Sequence, residues 1–289
     1  MISMLLRPFD PWKNPLCTCP FKLSLNPYTG CHHGCLYCYA SSYIPRFFEV
    51  RPKADLLARL KREICRVPAG SLISISNSSD PYPPIDRELE LTRRCIELLK
   101  ELDFRLQVVT KSDIVVRDSD LLIEMPATVS ITVTTLRDPI SCLLEPSAPL
   151  PERRLAAIRK LSHAKIPVSA RIDPIIPFIN DAEIESLVSA VSRAGARHVI
   201  SSTYKARPDN WKRLCRAFAG ETAALGPLYF EKGQRIESSH YLPFELRREI
   251  LGRVKEAALK NGITFSTCRE DIFKPSGISC DGSHLIRNK

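Results

Sequence analysis

The chain has 289 residues, 44% of them hydrophobic, and 42 Lys and Arg against 32 Asp and Glu give a formal charge of +10. That apolar share fills a sizeable core in one large α/β domain or two small ones, which excludes a disordered chain, and no apolar run approaches the roughly 20 residues of a membrane span. The opening MISMLLRPFDPWK lacks the basic start and small-residue cleavage site of a signal peptide, so a cytosolic protein is expected, in which the 11 cysteines stay reduced and serve as metal ligands, reactive thiols or core residues.

Residues 1 to 20 form an N-terminal extension. From 21 to 219, the β-type runs FKLSL, SLISIS, FRLQVV, TVSITV, IPVSARI and RHVIS alternate with amphipathic helical patterns. Strand-helix units at roughly 30-residue spacing predict a parallel sheet with crossover helices, two units short of a closed eightfold barrel. A partial (β/α)6 barrel is therefore expected, with a doubly wound sheet as the alternative; in either, ligands gather at the carboxyl ends of the strands. Ile184, Leu187, Val188 and Val191 have the spacing of one buried helix face, as do Trp211, Leu214, Cys215 and Phe218, and Asn180 with Glu183 reads as a capping box. Cys65, Cys95 and Cys215 fall on or beside apolar stripes and read as core. Residues 220 to 289 form a C-terminal extension with a helix near 243 to 260 and a short strand at ITFS. Basic runs such as PERRLAAIRKL and ELRREILGRVKEAALK read as solvated faces whose shared sign would attract a polyanion.

After the first strand comes NPYTGCHHGCLYCYA, with Cys31, Cys35 and Cys38 spaced C-x3-C-x2-C. Thiolates this close on one loop can wrap a single cubane cluster, and three ligands rather than four leave one iron open to a substrate. The alternative is a zinc site completed by His32 or His33. Gly30 and Gly34 suit a loop that turns tightly around a metal.

In this triplet, with Tyr37 as the aromatic residue before the third cysteine, the chain resembles the radical S-adenosylmethionine (SAM) superfamily. The segments SSDPYPPIDRELELTRR, VVTKSDIVVRDSDLL, LLEPSAPLPERRLAAI, RIDPIIPFIND and FSTCRED resemble its spore photoproduct lyase-like family, over most of residues 21 to 272. The resemblance implies a 4Fe-4S cluster on Cys31, Cys35 and Cys38, S-adenosylmethionine on its unique iron, an external electron donor, and a 5'-deoxyadenosyl radical that takes hydrogen from substrate. It implies further that Tyr37 lies against adenine, that Ser76, Asn77, Ser78 and Asp80 stand where the superfamily has a Gly-Gly-Glu turn at the methionine amino group, and that Lys111 and Ser130 face the methionine carboxylate and the ribose. Asp80 could instead cap the DPYPP turn.

Spore photoproduct lyase carries a hydrogen-donating cysteine just before the Asp-Pro after the second strand, where this chain has Ser78. Cys142, after the fourth strand, is the substitute expected from sequence, and Cys142 and Tyr39 are the candidate catalytic residues. Cys17, Cys268 and Cys280 are expected to join the two chain ends around an auxiliary iron-sulfur cluster, with Cys19 or His284 as fourth ligand. The expected function is radical modification or repair of a nucleic acid by a monomer that does not enter membranes. The alternatives are modification of a protein or peptide side chain, and a non-enzymatic iron-sulfur sensor or nucleic-acid-binding protein.

Overall fold

A computed structural model of the protein describes residues 4–9, 14–273 and 277–286. Eight strands form one sheet: β1 (Arg7–Pro8), β2 (Leu23–Leu25), β3 (Leu72–Ile75), β4 (Arg105–Thr110), β5 (Ala127–Thr132), β6 (Val168–Ile175), β7 (His198–Thr203) and β8 (Thr264–Thr267). They lie side by side in sequence order. All neighbours from β2 to β8 pair in parallel, β1 joins antiparallel to β2, and the two edges do not meet, so the barrel is open. The six expected barrel strands are β2 to β7, and ITFS supplies β8, which continues the same sheet.

Helices α1 (Leu56–Ile64), α2 (Leu91–Glu101), α3 (Pro151–His163), α4 (Ile184–Arg193), α5 (Pro208–Ala217), α6 (Ala219–Phe230) and α7 (Phe244–Lys260) accompany the strands. The face predicted for α4 is buried at all four positions. On α5, Leu214 and Phe218 are buried while Trp211 and Cys215 are half-buried. Of the thiols read as core, Cys95 is fully buried, but Cys65 is exposed, because the stripe of α1 is Leu56, Leu60 and Ile64 and Cys65 falls one step past it. Asn180 does not cap a helix. Its Oδ1 accepts from Ile176 N at 2.7 Å and its Nδ2 donates to Thr134 O at 2.8 Å, while the Glu183 carboxylate accepts from Leu136 N at 2.8 Å, so both residues fasten loops at strand ends. Among the described residues, no helix is long and apolar enough to cross a membrane.

Side chains alternate across each strand. Ile73, Ile75, Leu106, Val108, Val129 and Ile131 are all fully buried in the apolar core. The alternate positions are polar, among them Ser74, Gln107, Ser130, Ser169 and His198, and carry a buried polar column through the barrel. The segment 279–283 fills its lower end. Gln107 Nε2 donates to Asp281 O at 2.7 Å, Ser266 Oγ to Cys280 O at 3.1 Å, and the Asp281 carboxylate pairs with the buried Lys22 ammonium.

His198 holds this plug, with Thr264 Oγ1 and Ser266 Oγ each 2.8 Å from a ring nitrogen and the His284 ring centroid 4.7 Å away. Burial, with His284 and Arg171 adding to it and Asp281 and a Thr264 hydrogen bond opposing, pushes the His198 pKa from 6.5 down to about 3. The unfolded chain thus takes up a proton that the folded chain refuses. Stability from this group is fully present above about pH 6.5 and falls by up to about 1.4 kcal/mol for each pH unit below it. Thermal denaturation should show that acid slope, and His198→Asn should flatten it; an unchanged slope in the variant would assign it to other groups.

Candidate functional site

The cysteine loop is closed at its base by antiparallel pairing of Tyr28–Thr29 with Arg51–Pro52. At Gly30 φ is +81°, and a Cβ there would stand 2.2 Å from Glu49 O, so glycine is the residue that fits. Cys31 N donates to Phe47 O at 2.7 Å and Leu36 N to Leu144 O at 2.9 Å, while α5 reaches over the loop, with Arg213 Nη2 donating to Cys38 O at 2.9 Å and Asn210 Nδ2 to Tyr37 O at 3.2 Å. The loop so held puts Cys31, Cys35 and Cys38 on the wall of one cavity of about 300 Å³ at the carboxyl ends of the strands. Burial pushes the Cys31 and Cys35 thiols up to about 12 and Cys38 to about 11, so a bound metal must displace their protons.

Among the described residues, no three His, Cys, Asp or Glu side chains close around a single metal ion. A cubane, by contrast, spreads its ligands over separate irons. His32 is exposed, and buried His33 faces Asp80 Oδ2 at 3.5 Å, so neither completes a zinc site. The loop fits a cluster.

The turn after β3 forms the next part of the wall. Ser76 adopts a left-handed φ of +72°, the backbone shape that the glycine of a Gly-Gly-Glu turn would take freely, and its hydroxyl bonds Ser79 O. Asn77 Nδ2 donates to Ser24 Oγ at 2.8 Å, and Ser78 Oγ lies 3.3 Å from Asn26 Oδ1. Asp80 both caps the DPYPP turn, through Tyr82 N at 3.0 Å, and ties it to β4, through Thr110 Oγ1 at 2.7 Å and Lys111 N at 2.8 Å.

Tyr37 and Lys111 meet across the cavity, with the ammonium 5.4 Å from the ring centroid. Between them lies Glu145, a fully buried carboxylate not singled out from sequence. It accepts the Tyr37 phenol, pairs with buried Arg154 of α3 and lies 3.9 Å from Lys111 Nζ. Burial opposes its charge, but Arg154 and Lys111 outweigh it and hold the pKa below the ordinary carboxylate value. The sequence signal for it is its place in LLEPSAPLPERRL, a segment that resembles the spore photoproduct lyase-like family.

Two expected residues lie off the wall. Ser130 is fully buried, its hydroxyl without a hydrogen-bond partner in the structure, while Thr132, two residues on, reaches the cavity. Ser130 shares a strand face with Thr132 but lies two residues nearer the amino end of β5, one layer too deep to line the site. Cys142 is exposed on the short helix Asp138–Leu144, away from the cavity lining. Tyr39 stands at the cavity's edge, its hydroxyl donating to Asn77 O at 3.3 Å, with Arg207 and Arg269 5.8 and 6.0 Å from its ring centroid.

Another part of the wall carries Arg171 and Asp173 of β6 and Lys205, just past β7. Arg171 lies 2.6 Å from Asp173, and Lys205 lies 3.2 Å from Glu270, which Arg247 also holds at 2.8 Å. Cys268 lies beside Arg171. The remaining corner is made by Cys17, Cys19 and Cys280, with Cys19 and Cys280 in thiol contact at 3.2 Å.

The profile of the radical SAM superfamily matches residues 25–191. An uncharacterized protein of Methanocaldococcus jannaschii is 32% identical over 187 residues, 61% of this chain and 68% of that one. An uncharacterized protein of Mycobacterium tuberculosis is 24% identical over 197 residues, and the match spans 62% of this chain and 58% of that protein. Among solved structures, spore photoproduct lyase complexed with dinucleoside spore photoproduct has a similar fold, with a TM-score of 0.70 at 16% identity over 94% of this chain and 80% of that one. A radical SAM methyltransferase from Sphaerobacter thermophilus follows at 0.53 and 16%, over 91% and 70%. The chain belongs to the radical SAM superfamily.

Proposed function

From that membership, we propose that the protein cleaves S-adenosylmethionine and uses the resulting radical to modify or repair a nucleic-acid strand. Cys31, Cys35 and Cys38 would hold a 4Fe-4S cluster that, once reduced by an external donor, would supply the one electron that cleaves a carbon-sulfur bond of the sulfonium into methionine and a 5'-deoxyadenosyl radical. The chain's own residues prepare the place. Glu145, clamped by Arg154 and Lys111, fixes the Tyr37 phenol, while Asn210 fixes the Tyr37 carbonyl, so the ring is held from both ends at the cavity wall. The Lys111 ammonium leaves a cation at the wall for a carboxylate.

The observation that carries the nucleic-acid reading is a second groove, about 530 Å³, that shares Tyr39, Asn77, Ser78 and Arg269 with the reaction cavity. Its wall holds Arg7, Lys53, Arg59 and Arg269 with Tyr39 and Tyr43, and no carboxylate among the described residues. Burial, with Arg7 and Arg59 nearby, pushes the Lys53 ammonium down to about 8. Clustered cations suit phosphates, and the tyrosines offer faces on which bases stack. Fluorescence anisotropy with single-stranded and duplex oligonucleotides should show affinity falling steeply with salt. The variant Arg7→Gln/Lys53→Gln/Arg59→Gln should lower the log-log salt slope by about two to three. Salt-independent binding, or an unchanged slope in the variant, would remove nucleic acid as the substrate and favour a peptide.

A further inference from the structure

We infer that Cys17, Cys19 and Cys280 ligate a second iron-sulfur cluster that opens on the reaction cavity. The proposal goes beyond the radical chemistry of the first loop and does not depend on the substrate.

The three thiols form a contact chain. The Cys17 side chain is hydrogen-bonded to Cys19, and Cys280 Sγ donates to Cys19 Sγ at 3.2 Å across 261 positions of sequence. The segments that carry them have little regular structure, one 3-10 turn at Ser283–Leu285, and few apolar contacts of their own. They are nonetheless fixed against one another. Lys22 pairs with Asp281, Lys22 Nζ donates to Gln107 Oε1 at 3.0 Å, and Ser279 Oγ accepts from His284 N at 3.0 Å. Two irregular chain ends that meet through thiols are what a bound metal would fasten, since its binding energy becomes local folding energy.

Soft thiolates without an accompanying carboxylate select iron-sulfur clusters, zinc or copper(I). The 3.2 Å contact is no disulfide, whose sulfurs stand about 2.05 Å apart, and pairing two of the thiols would strand the third. No complete single-ion site is formed there among the described residues, and the close approach of Cys19 and Cys280 suits two thiolates on one iron of a 2Fe-2S centre, with Cys17 on the other. With three thiolates one iron stays open, and all three cysteines lie on the same wall as Cys31, Cys35 and Cys38. The ligand set differs from the one expected from sequence. Cys268 sits beside Arg171 rather than in this contact chain, and Cys19 takes its place.

The test is iron, sulfide and zinc content of the full chain purified and reconstituted anaerobically, with electron paramagnetic resonance after dithionite reduction. Wild-type protein should hold about six irons with a 2Fe-2S second centre, or about eight if it is a cubane, and Cys17→Ala/Cys19→Ala/Cys280→Ala about four. That variant should keep the signal that S-adenosylmethionine perturbs. Cys268→Ala should keep the full wild-type count, and Cys280→Ser alone should already lose the second signal, so the outcome does not hang on the folding of the triple variant. About four irons in the wild type, an unchanged count in the triple variant, one zinc per chain in place of iron, or a Cys19–Cys280 disulfide in anaerobic protein overturns the proposal. Loss of iron in Cys268→Ala overturns the ligand set. Failure of the first site reads differently: Cys31→Ala/Cys35→Ala/Cys38→Ala would then keep its full iron and the perturbed signal.

Discussion

Cys35→Ala protein, reduced anaerobically with dithionite, is expected to release no 5'-deoxyadenosine from S-adenosylmethionine, while the wild type releases it even without substrate. Cys35 is the most enclosed of the three loop thiols, 7% exposed, and its carbonyl accepts from Cys38 N at 3.2 Å, so its side chain and backbone both set the loop. Removing a group that merely orients a metal ligand typically costs 10- to about 100-fold in affinity or activity. Removing the ligand itself should exceed that, more than about 2.7 kcal/mol of barrier. The sulfur is small and no charge is left behind, since burial keeps the metal-free thiol protonated, so the variant should still fold. A far-ultraviolet circular dichroism spectrum like that of the wild type would show this. Full release by a folded Cys35→Ala protein would sink the assignment of the loop.

The barrel was legible because its strands are short β-branched runs at regular spacing, and hydrogen-bonded parallel neighbours leave such runs few other places. The cysteine triplet was legible because its ligands are local. What escaped was set by contacts across the chain. Glu145 follows an apolar stretch and looks like a surface acid, yet Arg154 and Tyr37 reach it in the interior from 9 and 108 positions away. Asn180 and Glu183 have the spacing of a capping box, but loops at neighbouring strand ends compete for the same side chains and win. The resemblance put Ser130 at the ribose, whereas Thr132, on the same face of β5 but nearer its carboxyl end, is the residue that reaches the cavity. Cys19 and Cys268 could not be ranked as ligands from spacing, because only the fold brings Cys19 against Cys280 and leaves Cys268 beside Arg171.

Offered the dinucleoside spore photoproduct, the protein is expected to release 5'-deoxyadenosine yet form thymines at least about a hundredfold more slowly than spore photoproduct lyase, a barrier difference of about 2.7 kcal/mol. Returning hydrogen to a carbon radical needs a weak bond to hydrogen at the cavity wall. Ser78 lines that wall, but its hydroxyl holds hydrogen too strongly and lies 3.3 Å from Asn26 Oδ1, a hydrogen-bond acceptor. Cys142, the substitute expected from sequence, is exposed away from the cavity lining. Outside the two cysteine triads, Cys268 is the thiol that remains on the wall among the described residues, beside Arg171 and next to Arg269, which shares a groove with Asn77 and Ser78. High-performance liquid chromatography of the products decides the matter. Negligible thymine formation with continued 5'-deoxyadenosine release supports a different nucleic-acid target, whereas repair at the lyase's rate refutes the argument from Ser78. In the latter case, loss of repair in Cys268→Ala would identify the donor, and retention there would leave no cavity thiol outside the metal sites to account for it.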